Sequence, residues 1–215
     1  MNSSKKIVII DYGLGNLFSV KHACSHFGFD AKISSDKNDL QEADAAIMPG
    51  VGAFGKAMEN LEKHNLVHSI QDFIASGKPF MGICLGLQLL FEKSEEFGDY
   101  KGLDIVEGTV KKFPCQNQKG DELKVPYIGW NQIHQNGKVW AETPLNGVSN
   151  GEFMYFVHSF YVVPAKEENI LTKSTYASVE YCSGIVKDNV FATQFHPEKS
   201  AKNGLLIYKN WLDKI

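Results

Sequence analysis

The stretch MGICLGLQLLF, residues 81 to 91, sets Cys84 between Gly82 and Gly86 inside the most apolar run of the chain. A second stretch, QFHPEKS, residues 194 to 200, sets His196 and Glu198 two positions apart. A free cysteine in an apolar run is ordinarily a small packing residue with no reactivity. Packing, however, asks for neither glycine. GxCxG is the cysteine counterpart of the GxSxG elbow, in which the nucleophile sits on a tight strand-to-helix turn and a Cβ on either side would strike backbone. The sulfur then stands at a helix N-terminus, where the dipole and free N–H groups favour a thiolate. The N–H of Leu85, just after the sulfur, is placed to donate to a tetrahedral intermediate. A thiolate nucleophile also needs a base with an orienting partner. His196 can carry a proton between Cys84 and a leaving amine, while Glu198 fixes its tautomer and balances its charge. Both are expected at the end of a strand, projecting to one side of a sheet. Alone, an HxE pair would equally suit a solvated strand end or half of a metal site.

The other glycine-rich stretches are less decisive. PGVGAFG, residues 49 to 55, contains a GxGxxG after an apolar run and before a helical pattern, which is the dinucleotide-binding context. That use needs an acidic residue about 20 positions on, at the end of the next strand, and here the next strand runs into Gly82-Ile83-Cys84. GLGN, residues 13 to 16, has Phe18 where a third glycine would stand. Gly50 and Gly52 have another use, since they let backbone approach a ligand and turn an N–H towards an oxyanion. A metal site lacks a second pair of ligands: His64 and His68 lie among Glu62, Lys63 and Asn65 and are expected on an exposed helical face. Cys24, Cys115 and Cys182 show neither disulfide framework nor CxxC spacing. No metal and no cofactor is expected.

The elements that must hold these residues follow from hydrophobic periodicity. KKIVIIDYG predicts a buried strand and NLFSVKHACSHFGF a helix stopping at Gly28; FDAKI and ADAAIMPG predict two further strands. A helical region over 53–78 ends at Gly77, PFMGIC is a fourth strand, and LGLQLLFEKS continues as a helix. Strands alternating with helices predict an α/β fold, a doubly wound, mostly parallel central sheet with helices on both faces. After about Gly98 the texture changes to short β-rich runs, with Asp188-Asn189 between two of them as a hairpin turn. GLLIYKNWLDKI closes the chain as a helix. With no repeat or linker, the β-rich C-terminal half is expected to continue the same sheet, giving one domain over residues 1–215.

Composition narrows the function classes. A chain of 215 residues, 43% hydrophobic and 22% charged, can bury a substantial core. A net charge of -3 without long like-charge blocks gives no footprint for nucleic acid or an anionic membrane. The opening MNSSKKIVII has too short an apolar run for a secretory signal, and no stretch approaches a bilayer span. A cytoplasmic protein is expected, with small molecules and other proteins as partners.

In the order Cys84, His196, Glu198, the chain resembles the class I, triad-type glutamine amidotransferases, whose elbow cysteine hydrolyses the side-chain amide of glutamine. The resemblance runs over essentially the whole chain. Within that class, IDYGLGN, PGVGAFG, GICLGLQLLF, VPYIGWN, YFVHSF and QFHPEKS are similar, in order and spacing, to the glutaminase subunits of imidazole glycerol phosphate synthases. The resemblance implies a flavodoxin-like fold, with Cys84 as nucleophile, His196 as general base and then acid, and Glu198 as its orienting partner. Gly50, Val51 and Gly52 match the family's oxyanion strand, in which a peptide N–H must reorient before the site is competent. Gln88, His158, Ser159 and Phe160 match the glutamine-holding positions.

Family members dock on a (β/α)8-barrel synthase subunit that receives the ammonia through a tunnel, and here Asn16, Trp130, Asn131, Tyr155 and Lys199 match interface positions. The implied pair turns glutamine and a phosphoribulosyl-formimino ribotide into glutamate, imidazole glycerol phosphate and aminoimidazole carboxamide ribotide, a step of histidine biosynthesis. This chain would supply only the glutaminase half, in keeping with its lack of a P-loop. The YCSG and KDN segments, at residues 181–184 and 187–189, are more polar than expected for that subfamily. They resemble paralogues that feed ammonia to a nucleotide-sugar or surface-polysaccharide amidotransferase, with identical glutaminase chemistry. DJ-1-like proteins also carry an elbow cysteine, but with a nearby acidic residue and a histidine soon after it, whereas Leu85 follows Cys84 here. A non-enzymatic binding module would leave the HPE stretch without a purpose.

Overall fold

The computed structural model describes residues 5–116 and 122–215. Four early strands, β1 (Ile7–Ile10), β2 (Ala31–Ser34), β3 (Ala45–Gly50) and β4 (Phe80–Cys84), are parallel, and β13 (Val190–Thr193) joins them beside β4. The parallel part is therefore ordered β2-β1-β3-β4-β13, the 2-1-3-4-5 arrangement of flavodoxin-like sheets. Every residue of β1, β3, β4 and β13 is buried, as expected of strands covered on both faces. Alternate side chains divide between two cores. Ile7, Ile9, Ile47 and Met81 pack with α1 (Leu17–His26) and α6 (Ala201–Leu212). On the opposite face, Val8, Ile10, Met48 and Phe80 pack with α3 (Phe54–Lys63) and α4 (Val67–Ala75).

The sheet continues through β12 (Val179–Lys187), β10 (Phe160–Pro164), β7 (Val106–Lys112), β5 (Phe91–Ser94) and β6 (Tyr100–Lys101). Here the pairing is mixed, with β12 antiparallel to β13 and β10, β10 antiparallel to β7, and β5 parallel to β7. Strand β11 (Ile170–Tyr176) branches from β12 and carries β8 (Tyr127–Gln135), on which β9 (Glu152–His158) is paired. The turn from β12 to β13 passes through Asp188, at φ 51°, and Asn189, as the hairpin signal predicts. Among the described residues, no helix is long and apolar enough to cross a membrane.

Local structure departs from periodicity in four places. The helical region over 53–78 is two helices, because Asn65 takes φ 56° and the Leu66 and Asn65 N–H groups close back on the Leu61 and Glu62 carbonyls, a Schellman stop. His64 and His68, both exposed, consequently lie on either side of a helix boundary. A short helix, α2 (Lys37–Glu42), is capped by the Asp36 carboxylate on the Asn38 N–H and buries only Leu40, too little to show a period. The expected helix over 85–94 ends early: α5 (Leu85–Leu89) gives way to β5, as the Leu89 and Leu90 carbonyls accept from Leu103, Ile105 and Val106. Finally, residues 153–163 are two strands broken at Ser159, because β9 pairs with β8 while β10 pairs with β7 and β12.

The junction of β4 and α5 leaves no room for side chains beside Cys84. A Cβ on Gly86 would lie 1.8 Å from the Met48 carbonyl oxygen, and one on Gly82 would lie 3.0 Å from both the Ala192 Cβ and the Gly86 carbonyl oxygen. Gly86→Ala must therefore push α5 off β3, and we expect a loss of about 3 kcal/mol or more, at the upper end for overpacking. Urea denaturation checks this; an unchanged midpoint would contradict the close approach of α5 to Met48.

Candidate active site

Cys84 is the last residue of β4 and holds φ 56°, ψ -108°, a backbone state that costs a non-glycine residue about 1–3 kcal/mol. The strain turns the sulfur out at the carboxyl edge of the sheet, where ligands bind in open α/β folds. Sheet register brings the other parts to it. Gly50 is paired with Cys84 across β3–β4, and Thr193 with Ile83 across β13–β4. A Cβ on Gly50 would lie 2.1 Å from the Tyr12 hydroxyl and 2.9 Å from the Leu85 Cβ, so only glycine lets β3 pass this close. Beyond it Val51 is exposed and Gly52 takes φ 102°.

His196 and Glu198 are both buried, with His196 Nδ1 2.8 Å from a Glu198 carboxylate oxygen. They do not extend a strand as the sequence suggested. β13 stops at Thr193, and Pro197 starts a 3-10 turn, Pro197–Lys199, that bends the carboxylate back under the ring. The turn is stitched to β9. The His196 N–H donates to the Tyr155 carbonyl at 2.9 Å, the Tyr155 N–H donates to the Ser200 hydroxyl at 3.0 Å, and that hydroxyl donates to the His196 carbonyl at 2.7 Å.

The Nε2 of His196 is buried on the Cys84 side of the ring and has no other hydrogen-bond partner. Burial alone would lower the imidazole pKa. The Cys84 sulfur and the Glu198 carboxylate more than offset it, so His196 is raised from 6.5 to about 10. Cys24 and Cys182, by contrast, have thiols pushed up to about 12 by burial, and Cys115 is exposed away from any histidine-carboxylate pair. Only Cys84 among the described cysteines combines a buried base, an oriented carboxylate and an opening to solvent.

That opening is a cavity of about 330 Å³ lined by Val51, Gly52, Cys84, Leu85 and Gln88, and by His158, Ser159 and Phe160 at the break between β9 and β10. A depression of about 630 Å³ exists at the start of β1, lined by Lys5, Lys32, Asp39 and Glu42 among others, and contains none of these groups. Gln88 donates to the Phe160 carbonyl at 3.0 Å, and His158 Nδ1 lies 2.8 Å from the same oxygen. Since a carbonyl only accepts, His158 carries its proton on Nδ1. Burial, opposed by that hydrogen bond and assisted by His196, lowers its pKa to about 4, so it stays neutral.

Three residues of the site were not legible in the sequence. Glu96 lines the cavity, is buried, and accepts the Phe54 N–H at 2.6 Å; burial raises its pKa despite that bond. In EKSEEFG it looks like one of several solvated charges. Gln194, fully buried, donates to the Cys84 sulfur at 3.6 Å and accepts from Gln88 at 3.1 Å. Tyr12, also fully buried, donates to the Pro49 carbonyl at 2.8 Å and so fixes the base of the Gly50–Gly52 strand.

The five expected interface residues divide. Trp130, half exposed, faces Tyr155 across β8–β9 with ring centroids 6.0 Å apart, and the Lys199 ammonium stands 5.7 Å above the Tyr155 ring. Ile128 and Phe153, also half exposed, extend this apolar patch. Asn16 stands at the N-cap position of α1, in the first βα loop, with no capping bond from its side chain. Asn131 lies on the other face of β8 from Trp130, where its amide donates to the Thr175 carbonyl at 3.0 Å.

The model of the family "Glutamine amidotransferase class-I" matches residues 8–214. An "Imidazole glycerol phosphate synthase subunit HisH" of Aquifex aeolicus is 48% identical, over 97% of this chain and 97% of the relative. The protein of the same name from Syntrophotalea carbinolica is 46% identical, over 96% and 99%. Among solved structures, "Structure of PurLQS from Thermotoga maritima" superposes with a TM-score of 0.73 at 20% identity, covering 98% of this chain and 99% of that one.

Because its pKa is raised, protonated His196 stabilises the fold fully below about pH 6.5, and that contribution is lost as the pH rises through about 10. Glu198→Gln removes one of the raising charges, so the titration of His196 moves down and the loss begins at lower pH. NMR titration of ring-labelled histidine reads this directly; an unmoved His196 would leave Glu198 without its orienting charge.

Proposed function

This chain belongs to the class I glutamine amidotransferases, and from that premise we propose that its single domain, residues 1–215, hydrolyses glutamine and passes the ammonia to a synthase subunit of histidine biosynthesis. The observation that carries the chemistry is a cysteine held at φ 56°, ψ -108° in front of the buried His196–Glu198 pair. The proton of Cys84 resides on His196, whose imidazole holds it strongly beside the sulfur and the Glu198 carboxylate, and the thiolate attacks the side-chain carbonyl carbon of glutamine. The Leu85 N–H and a peptide N–H of the Gly50–Gly52 strand take up the charge on the carbonyl oxygen, a contribution of about 10²–10³ in rate per donor. His196 then protonates the departing nitrogen, the C–N bond breaks, and ammonia leaves a glutamyl thioester. Water, deprotonated by His196, attacks that thioester; the C–S bond breaks, releasing glutamate and restoring the thiol.

Substrate recognition falls to the walls of the cavity. The buried Glu96 carboxylate is the group suited to the α-ammonium of glutamine, and its bond to the Phe54 N–H fixes its direction. Gln88 and the 158–160 backbone supply neutral donors and acceptors for the rest. Glu96→Gln is expected to raise the glutamine KM by about ten- to a hundredfold, the range for a buried charge-assisted hydrogen bond, with a smaller effect on kcat. An effect on kcat alone would remove Glu96 from substrate binding.

The relatives named as HisH subunits, 42–48% identical over nearly their full length, support the histidine-pathway acceptor over the sugar-amidation alternative. A subunit of a multi-subunit synthase needs a partner. We infer that a (β/α)8-barrel covers the cavity mouth, with Trp130, Tyr155 and Lys199 beneath it and Asn16 at its edge. The exposed aromatic patch beside the mouth fits such a cover.

The deciding experiment measures glutamate release from glutamine by the chain alone and with the barrel subunit plus its ribotide. Activation by the partner, abolished by Cys84→Ala with the fold retained, is expected. Turnover by Cys84→Ala would remove the cysteine from the mechanism. Activity that ignores the partner while Cys84 still reacts with a glutamine-analogue alkylator would move the acceptor to the sugar pathway.

A further inference from the structure

We infer that Gln194 is the hydrogen-bond donor that holds the Cys84 thiolate, and that the direction of its amide is dictated by the carbonyl of Phe160 through Gln88. Resting on the glutaminase reading above, the inference adds a catalytic residue to it.

The geometry leaves the three groups one consistent polarity. The Phe160 carbonyl can only accept, so the group of Gln88 that stands 3.0 Å from it is the NH2. The same Gln88 nitrogen lies 3.1 Å from the Gln194 amide, and it can only donate there too. Gln194 must therefore present its oxygen to Gln88, which leaves its own NH2 facing the Cys84 sulfur at 3.6 Å. A flip of either amide would set two donors or two acceptors against each other in a fully enclosed place, since Gln194 is 0% and Gln88 5% exposed.

The Gln194 backbone allows no retreat. Its N–H donates to the Ser183 carbonyl at 2.9 Å, and it follows directly on β13, whose register against β4 also sets the approach of His196 to Cys84. A neutral amide N–H aimed at sulfur is worth most when the sulfur is charged. It offers that stabilisation without supplying a proton to the thiolate, so it does not compete with His196. The residue at the far end of the relay, Phe160, lines the cavity where glutamine must lie, so filling the cavity and charging the nucleophile share one chain of hydrogen bonds.

The experiment compares the parent with Gln194→Met, similar in size and without a donor, and Gln194→Glu, which keeps an acceptor for Gln88 but turns an oxygen to the sulfur. Two readouts are needed: Cys84 alkylation by iodoacetamide, and glutamine kcat and KM in the complex with the synthase partner. At neutral pH both variants should alkylate roughly ten- to a hundredfold more slowly, as for loss of one hydrogen bond to a charged group, and the deficit should shrink as rising pH ionises the thiol without help. Their kcat should fall in parallel, with KM nearly unchanged in Gln194→Glu, which keeps the acceptor for Gln88. Alkylation at the parent rate in the folded Gln194→Met protein would overturn the assignment, as would a change in KM alone. A parent that neither alkylates nor hydrolyses glutamine would instead overturn the glutaminase reading.

Discussion

The site depends on a single backbone constraint. Cys84 can hold φ 56° only because β4 ends abruptly against α5, and α5 can start there only because Gly86 lies against the Met48 carbonyl without a Cβ. The strain is local, about 1–3 kcal/mol, while the two cores that clamp it involve most of the buried side chains of the sheet. The elbow is therefore set by the packing of β3, β4 and α5 and does not need a ligand to form. From it follow the outward direction of the sulfur and the pairing of Gly50 opposite Cys84.

A second layer of structure aims His196. The 3-10 turn carrying His196 and Glu198 is bonded in both directions to the backbone of Tyr155, with Ser200 as the intermediary. Tyr155 in turn faces Trp130 and lies under Lys199. The His196–Glu198 turn and the aromatic patch are consequently parts of one strand's surroundings. The peptide groups of a single residue, Tyr155, join the strand that bears the patch to the turn that holds the imidazole.

Much of this was visible in the residues. Cys84 declares itself through two glycines that packing does not need, and the mostly parallel sheet follows from strands that alternate with helices. The chemistry of the HPE stretch was legible too, but its geometry was not, because Pro197 makes a turn where alternation alone implies a strand. Helix length is not legible where tertiary contacts decide it. Asn65 stops α3 by taking a left-handed conformation, and α5 yields to β5 because its carbonyls are claimed by residues 103–106. Glu96 and Gln194 were hidden for another reason. A carboxylate in a charged run and an amide in an apolar one have no local signature; their roles come from what the folded chain places opposite them.

The position of β13 in the parallel sheet has a consequence in time. It lies between β4 and β12, yet it is the last strand to be made, and Gln194 is 110 residues later in the chain than the sulfur it faces. Contacts that distant are among the slowest to form, because loop closure precedes any reward. During synthesis the first four strands can assemble around Cys84 while its base, carboxylate and amide donor have yet to leave the ribosome. Cys84 thus meets His196, Glu198 and Gln194 only when the final strand and the turn after it are in place.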